Sequence, residues 1–137
     1  MPGRWIVYAD GASRGNPGPA SIGAVVYDEA GDEVQTVSQR IGRGTNNEAE
    51  YKAAIAGLES ALALGGGDLE LRMDSELVIR QLQGRYKVRN ERLRPLFNRL
   101  SELLRQFSSF QMESIPRAKN SRADELANLA LDRAEDD

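Results

Sequence analysis

The chain has 137 residues, of which 40% are hydrophobic and 28% are charged. That length suits one globular domain with a single sizeable core, and we expect the domain to span residues 1–137. Cysteine and histidine are both absent. Their absence excludes disulfides, thiolate or imidazole metal ligands and a Ser-His-Asp triad. Catalysis would therefore depend on carboxylates, cationic side chains, hydroxyls or a bound metal ion.

The charge is distributed unevenly along the chain. The formal net charge is −3, yet residues 80–105 carry eight basic and two acidic side chains, which makes this segment +6 and the remainder −9. Such asymmetry fits a basic binding face beside an acidic site, and it equally fits a solvated helix face rich in arginine.

No stretch of the sequence approaches the length of a membrane span. The first residues, MPGRWIVYAD, lack the apolar run and cleavage pattern of a signal peptide. We therefore expect a cytoplasmic protein with no membrane partner, and a monomer is the working expectation.

The first half of the chain predicts three strands followed by a helix. Short apolar runs between turn residues predict strands at 4–9, 21–28 and 33–41. The stretch DGASRGNPG, which begins at residue 10, predicts a loop. A second loop at 42–47 ends on three residues that can cap a helix, Thr45, Asn46 and Asn47. The helix is predicted to run to Leu64, and its apolar stripe consists of Tyr51, Ile55, Leu58 and Leu62.

The second half alternates strands and helices. Glycines at 65–67 end the first helix, and residues 68–73 predict a fourth strand before Asp74. A short helix at 75–83 precedes a basic connection, and Asn90 is expected to cap the next helix. The apolar stripe of that helix consists of Leu93, Leu96, Phe97, Leu100, Leu104 and Phe107. Residues 110–115 predict a fifth strand. The last helix is predicted to start at Ser121 and to carry Leu126, Leu129, Ala130 and Arg133.

The element order is βββαβααβα. Three consecutive strands joined by short turns predict antiparallel neighbours, whereas the two strands reached through helices predict parallel additions to the same sheet. We therefore expect an α/β fold, with a five-stranded mixed sheet of three antiparallel and two parallel strands flanked by helices.

Two carboxylates are predicted at the edge where open α/β sheets gather their working groups, beyond the carboxyl ends of parallel strands. Asp10 and Asp74 each come one residue after a predicted strand. Carboxylates brought together there repel one another unless a cation binds between them. One acid after a strand means little, whereas two in one small domain indicate a site.

A helical wheel selects a third acid between Glu48 and Glu50 in the first helix. At about 100° per residue, Glu50 aligns with a stripe of small residues that lets the helix approach the sheet closely. That stripe consists of Ala54, Gly57 and Ala61. Glu48 falls on the polar side and is expected to pair with Lys52. Glu50 is therefore the predicted inward acid.

Asp124, in the first turn of the last helix, is the fourth candidate, although an acid there also stabilises the helix dipole. Four carboxylates without histidine or cysteine fit magnesium or manganese rather than zinc. Two such ions can activate a water and stabilise the leaving oxygen of a phosphodiester, with no need for a histidine base. The residues themselves therefore predict metal-assisted phosphoryl chemistry beside a basic surface.

At these residues the chain resembles the type 1 ribonuclease H family. The matching blocks follow the family order and are DGASRGNPGPASIGAVV at 10–26, TNNEAEYKAAIAGLE at 45–59, MDSELVIRQL at 73–82 and NSRADELANLA at 120–130. The resemblance implies a five-stranded mixed sheet and an endonuclease that cuts the RNA strand of an RNA–DNA hybrid, leaving a 5′-phosphate and a 3′-hydroxyl. It also implies two magnesium ions, with manganese as a substitute, held by Asp10, Glu50, Asp74 and Asp124.

The resemblance implies two sets of substrate-binding residues. The first would line the minor groove, where the 2′-hydroxyl distinguishes RNA from DNA. Its members are Gly11, Ala12, Ser13 and Asn16. The second would contact the hybrid and a phosphate of its DNA strand. Its members are Arg43, Thr45, Asn46 and Asn47. A structural interpretation stays open, in which the asparagines cap the helix and the remaining loop residues, Gly15, Pro17 and Gly18, only shape the turn.

The chain departs from the family pattern in the loop before the last aspartate, where many members carry a histidine. Here residues 117–122 are RAKNSR. Arg117 is the first candidate to replace the histidine and Lys119 the second. A guanidinium can bind phosphate through two hydrogen bonds, but it cannot serve as a base near neutral pH.

A second departure concerns the long basic handle that many members carry between the middle helices. Here it shrinks to residues 84–90, in which Arg85, Lys87 and Arg89 are expected to bind the hybrid and Tyr86 to contact a sugar or base. We expect weaker and more salt-sensitive binding than in relatives with the full handle.

Other functions compete with this interpretation. A resolvase or integrase core shares the fold, and a short-handled ribonuclease H could also accept double-stranded RNA. A non-catalytic hybrid-binding module is expected to lack at least one acid, whereas all four are present. A sugar-kinase-like ATPase would need a second domain to enclose its nucleotide. The sequence leaves the physiological metal and the preferred cleavage position open.

Overall fold

The computed structural model describes residues 3–136, and five strands within that range form one mixed sheet. Their order in the sheet is β3-β2-β1-β4-β5. The strands are β1 (Gly3–Ser13), β2 (Gly18–Tyr27), β3 (Glu33–Gly44), β4 (Gly67–Met73) and β5 (Ser109–Ser114). The helices are α1 (Asn46–Ala63), α2 (Glu76–Leu82), α3 (Arg94–Leu104) and α4 (Ser121–Asp136), with a 3-10 turn at Arg117–Lys119.

The strand directions confirm the predicted α/β fold. β1 pairs antiparallel with β2, and β2 pairs antiparallel with β3. β4 runs parallel to β1, and β5 runs parallel to β4. Hairpins can join antiparallel neighbours through short turns, whereas the parallel strands are reached through α1 and through α2 and α3.

Helices cover both faces of the sheet. α1 lies against β1 so closely that a Cβ atom on Gly57 would come within 2.6 Å of Val7 Cγ1. α4 lies against β2, where a Cβ atom on Gly23 would overlap the backbone of Ala123. Gly23 is the register partner of Asp10. Successive residues of a strand face opposite sides, so Val7 and Asp10 lie on different faces, and the two helices enclose the sheet between them.

The main core lies between the sheet and helices α1, α2 and α3. The largest side chains buried in it are Tyr51, Leu58, Leu69, Leu71, Met73, Ile79 and Leu100. The small-residue stripe predicted on α1 is confirmed, because Ala54, Gly57 and Ala61 are all buried. Full burial of each large apolar side chain contributes about 1.5–3 kcal/mol. Within residues 3–136, no helix combines the length and apolar character needed to cross a membrane.

The predicted loops at 10–18 and 42–47 are shorter than expected. β1 continues past Asp10 to Ser13, which pairs with Ala20 of β2, and the start of β2 at Gly18 pairs with Gly44 of β3. Gly11, Gly18, Gly42 and Gly44 remain in the antiparallel ladder, because their backbone groups find partners there. Asp10 therefore lies inside β1, although it does follow the last residue pair between β1 and β4.

Two local predictions were wrong. Glu48 completes a capping box with Thr45, accepting its backbone N–H at 3.2 Å, instead of serving as a surface partner for Lys52. Asn90 accepts a hydrogen bond from the Arg92 N–H in a turn that precedes α3, so it does not cap that helix. The buried side of α4 is formed by Ala123, Leu126, Ala127, Ala130 and Leu131, whereas Leu129 is 41% exposed.

Candidate active site

Three of the predicted carboxylates meet at one end of the sheet. One carboxylate oxygen from each of Asp10, Glu50 and Asp74 lies within 4.8 Å of the other two. Asp10 and Asp74 are neighbours because each directly follows a member of the Ala9–Met73 pair, the last in the ladder between the parallel strands β1 and β4. The structure thus brings together two strand-end acids and the inward acid of α1.

The absence of a side chain at Gly11 allows Glu50 to join the two aspartates. A Cβ atom at residue 11 would overlap the backbone of Ala49 and Glu50. The first turn of α1 therefore rests directly on β1. Only a glycine at this position permits that approach, so Gly11 has a packing function in addition to any contact with a substrate.

Asp124 lines the same cleft but lies outside the cluster of three. Its carboxylate lies near enough to Asp10 to raise the pKa of that side chain. The Asn128 amide donates to the Asp124 backbone carbonyl at 2.9 Å and to its Oδ1 at 3.2 Å, which orients the carboxylate. The cleft has a volume of about 360 Å³ and is lined by Asp10, Gly11, Ala12, Ser13, Asn46, Glu50, Asp74, Arg117, Asp124 and Asn128.

The carboxylates are held where their negative charge is poorly compensated. Burial raises the pKa of Asp10, and the nearby Asp74 and Asp124 raise it further. Burial, followed by the proximity of Asp10 and Asp74, likewise raises the pKa of Glu50. Glu50 Oε2 is buried and has no hydrogen-bond partner among the described residues. A hard divalent cation would supply the missing positive charge and accept these oxygen ligands, so the residues fit such an ion.

The two cationic candidates of the last loop lie in different places. Arg117 lines the carboxylate cleft, and its Nη2 is 4.0 Å from Asp124 Oδ1. Its side chain is 81% exposed, so the guanidinium can reach a ligand in the cleft. Lys119 instead lines neighbouring pockets beside Tyr8. Of the two candidates, Arg117 is therefore the one that faces the acids.

The predicted minor-groove residues form one wall of the cleft. Gly11, Ala12 and Ser13 line it directly. Asn16 lies further out, where its Oδ1 accepts a hydrogen bond from the backbone N–H of Asn46 at 3.1 Å. This bond joins the loop after β1 to the start of α1, so the two predicted binding segments are held together.

The second predicted set is divided between the cleft and the adjoining surface. Asn46 lines the cleft, while Asn47 and Arg43 are exposed beside it. Thr45 caps α1, because its Oγ1 accepts a hydrogen bond from the Glu48 N–H at 3.1 Å. The alternative in which the asparagines cap the helix is therefore wrong.

The shortened basic handle forms an exposed, non-helical connection between α2 and α3. Arg85, Lys87 and Arg89 are all exposed along it. Tyr86 packs against the guanidinium of Arg80, which lies 5.4 Å from the ring centroid and donates to the Tyr86 hydroxyl at 2.6 Å. Tyr86 is still 45% exposed, so it remains accessible to solvent.

Comparison with known proteins identifies the family. The family model described as "Reverse transcriptase-like" matches residues 8–130. Ribonuclease HI of Halobacterium salinarum is 50% identical over 132 residues, which is 96% of this chain and 66% of that protein. A crystal structure of RNase H1 from the same organism has a TM-score of 0.93 and covers 96% of this chain. The alignment spans 99% of the crystallised chain.

The chain belongs to the type 1 ribonuclease H family. A second relative, the bifunctional protein Rv2228c of Mycobacterium tuberculosis, is 48% identical over 94% of this chain and 36% of its own length. The chain thus spans about a third of that protein and just under two thirds of the Halobacterium enzyme. LC11-RNase H1 in complex with an RNA/DNA hybrid matches with a TM-score of 0.86 at 44% identity, over 95% of this chain and 98% of its own.

Two asparagines of this ribonuclease H site were not predicted from the sequence. Asn128 lies one helical turn after Asp124 and lines the cleft, so the helical wheel that selected Glu50 would also have found it. Asn120 is 1% exposed, and its amide donates to Asp74 Oδ1 at 2.7 Å. No local pattern signals that contact, because an asparagine directly before a helix ordinarily serves as its cap.

Proposed function

We propose that the protein is an endoribonuclease that hydrolyses the RNA strand of RNA–DNA hybrids. The observation that carries the proposal is the cluster of Asp10, Glu50 and Asp74, with carboxylate oxygens within 4.8 Å of one another in an open cleft. A protein that only bound hybrids would have no use for buried, mutually repelling acids. Membership of the ribonuclease H family supports the same chemistry.

Asp10, Glu50 and Asp74 would hold divalent metal, with Asp124 contributing from α4. We propose that the site binds two magnesium ions and that manganese can replace them. When bound, such ions activate a water and stabilise the charge that develops on the phosphate and on the leaving oxygen. Hydrolysis would break the P–O3′ bond, leaving a 5′-phosphate and a 3′-hydroxyl.

The other residues of the cleft would place the RNA strand against the acids. Backbone and hydroxyl groups of Gly11, Ala12 and Ser13 can form hydrogen bonds to 2′-hydroxyls in the minor groove, which DNA lacks. Asn16 and Asn46, already joined by a hydrogen bond, continue this wall. The crystallised complex of LC11-RNase H1 with an RNA/DNA hybrid supports the same class of substrate here.

Three further groups of residues would act on phosphates away from the reacting bond. Arg43, Thr45 and Asn47 lie beside the cleft and suit the DNA strand. Arg85, Lys87 and Arg89 would follow the backbone of the duplex beyond it. Arg117 would bind a phosphate near Asp124, and its permanent charge assigns it to binding rather than to proton transfer. A cytoplasmic location, a monomeric state and a single domain over residues 1–137 remain predictions.

A panel of labelled duplexes tests the proposal. Wild-type protein with magnesium would be incubated with RNA–DNA hybrid, double-stranded RNA and double-stranded DNA, beside Asp10→Asn. Glu29→Gln is a matched control, because Glu29 is an exposed acid in the turn between β2 and β3 and does not line the cleft. Cleavage of the hybrid by wild type and Glu29→Gln, but not by Asp10→Asn, is expected. Cleavage of double-stranded RNA would broaden the substrate class, and hybrid binding without cleavage would contradict an enzymatic function.

A further inference from the structure

Asn120 occupies the position directly before α4, where a side-chain oxygen normally accepts a hydrogen bond from the first turn of the helix. In this protein the Asn120 Oδ1 atom is buried and has no hydrogen-bond partner among the described residues. Its side chain therefore makes no capping bond, which would have stabilised the helix. A buried acceptor without a partner is itself destabilising. Helix stability does not explain an asparagine in this orientation.

The Asn120 side chain turns toward the ends of the two parallel strands instead. Its amide nitrogen donates to the Ala9 backbone carbonyl at 3.0 Å and to Asp74 Oδ1 at 2.7 Å. Ala9 pairs with Met73 in the last register pair between β1 and β4, and the candidate ligands Asp10 and Asp74 are the next residues along each strand. The Asn120 amide thus bridges the two strands at the point where their own pairing ends.

The backbone of Asn120 extends this link to the fourth acid. Its carbonyl accepts a hydrogen bond from the Asp124 N–H at 3.1 Å, and its N–H donates to the Arg117 carbonyl at 2.9 Å. One residue therefore contacts the peptide before Asp10, the carboxylate of Asp74 and the backbone of Asp124. Groups that orient metal ligands through hydrogen bonds commonly change metal affinity by about 10- to 100-fold when they are removed.

We infer that Asn120 is a positioning residue that orients Asp74, and through the strand end Asp10, for divalent metal. By engaging Asp74 Oδ1, it selects one rotamer of that carboxylate and leaves the other oxygen available to a cation. The inference rests on the proposed metal site. It assigns to Asn120 a role in metal affinity that is separate from its contribution to folding.

Manganese titration of the metal-free, full-length protein tests this inference, with free Mn²⁺ followed by electron paramagnetic resonance. The central variant is Asn120→Ser, because serine is a good helix cap but its short hydroxyl cannot make both amide contacts. A capping role predicts that serine preserves Mn²⁺ affinity. A positioning role predicts that affinity falls by about tenfold or more in both Asn120→Ser and Asn120→Ala.

Gln81→Ala provides the matched control for folding. Gln81 is also a buried amide with two side-chain hydrogen bonds, from the Tyr51 hydroxyl at 2.5 Å and to the Lys87 carbonyl at 3.2 Å. Urea unfolding of every variant would establish the loss of stability. We expect Gln81→Ala to lose stability and to keep wild-type Mn²⁺ affinity, whereas the Asn120 variants lose affinity while folded.

Wild-type Mn²⁺ affinity in folded Asn120→Ser would overturn the inference and leave the proposed metal site intact. Asp74→Asn tests the other possible failure, in which the proposed metal site itself is wrong. If the wild-type protein does not bind Mn²⁺, or if Asp74→Asn binds it equally well, the metal site itself is wrong and the role of Asn120 falls with it.

Discussion

Gly11 lies so close to Glu50 that a Cβ atom on residue 11 would overlap the Glu50 backbone nitrogen. This contact connects the middle strand of the sheet with the first turn of α1. The helix approaches the sheet closely at a second point, where a Cβ atom on Gly57 would come within 2.6 Å of Val7 Cγ1. The position of the Glu50 carboxylate beside Asp10 is thus a consequence of backbone packing.

Gly11→Ala is therefore expected to destabilise the fold by about 1–3 kcal/mol, because the added methyl group forces α1 away from β1. Cleavage of hybrid should fall with it, since Glu50 moves away from the aspartates. Urea unfolding and a cleavage assay measure the two effects. Gly44→Ala is the matched control, because a Cβ atom there would meet its nearest neighbours at an ordinary 3.8 Å. Equal stabilities of the two variants would contradict the packing function of Gly11.

Metal-free protein is expected to lose stability as the pH rises from about 5 to about 8. Burial and neighbouring acids raise the pKa of Asp10 from 3.8 to about 8 and that of Glu50 from 4.5 to about 9. At a pH between the ordinary and the raised pKa values, the folded protein binds more protons than the unfolded chain, so each rise in pH favours unfolding. Thermal unfolding in EDTA should show a melting temperature several degrees lower at the higher pH.

Added magnesium should reverse that destabilisation, because it binds the folded cluster in its ionised form. Its stabilising effect is expected to be larger at about pH 8 than at about pH 5. Asp10→Asn should flatten the pH dependence in EDTA and weaken the response to magnesium, whereas the exposed Glu29→Gln should retain both. Metal-free stability that stays constant or increases over this pH range would argue against the clustered acids.

Arg117 and Lys119 offer a paired test within one 3-10 turn. Arg117→Ala is expected to reduce kcat/KM on the hybrid by about tenfold, since a charge-assisted phosphate contact is worth on the order of 1.5–3 kcal/mol. Lys119→Ala should change it little, because Lys119 does not line the carboxylate cleft. The pH–rate profile should keep its shape in Arg117→Ala, because an arginine that only binds phosphate donates no proton. A changed pH–rate profile in Arg117→Ala would contradict a role limited to phosphate binding. An equal reduction of kcat/KM in Lys119→Ala would contradict the different roles assigned to the two residues.

Neutralising the shortened handle should reduce the salt dependence of hybrid binding, because the dependence follows the number of phosphates neutralised. By the same rule a shortened handle should make binding weaker but less salt-sensitive than in relatives with the full handle, in place of the more salt-sensitive binding predicted from the sequence. Arg85, Lys87 and Arg89 are exposed on the connection between α2 and α3. Replacing all three with glutamine should weaken binding and lower the slope of log K against log salt by about 0.7–0.9 for each phosphate that the variant no longer neutralises. Fluorescence anisotropy of catalytically inactive Asp10→Asn, with and without the triple substitution, measures the slope. An unchanged slope would mean that other residues bind the phosphates.

The succession of the elements along the chain and the directions of the strands could be predicted because local signals agree with the final fold. Apolar runs, glycine clusters and the helical period mark each element without reference to its neighbours. The extent of β1 could not be found in this way. Residues beyond Asp10 stay in the strand only because β2 offers them partners, as in the Ser13–Ala20 pair, and such pairing is a tertiary property.

The acids could be predicted for a similar reason, since strand ends and a helical wheel bring Asp10, Asp74 and Glu50 to one place. The supporting residues depend on distant partners. Asn120 bonds to Ala9, 111 residues away, and to Asp74, 46 residues away. The helical spacing predicts a pair between Glu48 and Lys52, but Thr45, three residues before Glu48, is within reach as well. In the structure Glu48 accepts the hydrogen bond of the Thr45 N–H.

The most direct test of the proposed activity is one RNA–DNA hybrid with different dyes on its two strands, incubated with protein and magnesium. We predict that only the RNA strand is shortened, that each downstream fragment carries a 5′-phosphate, and that EDTA or Asp10→Asn prevents both. Cleavage of the DNA strand, or an intact hybrid in the presence of either magnesium or manganese, would contradict the function proposed for the carboxylate cluster.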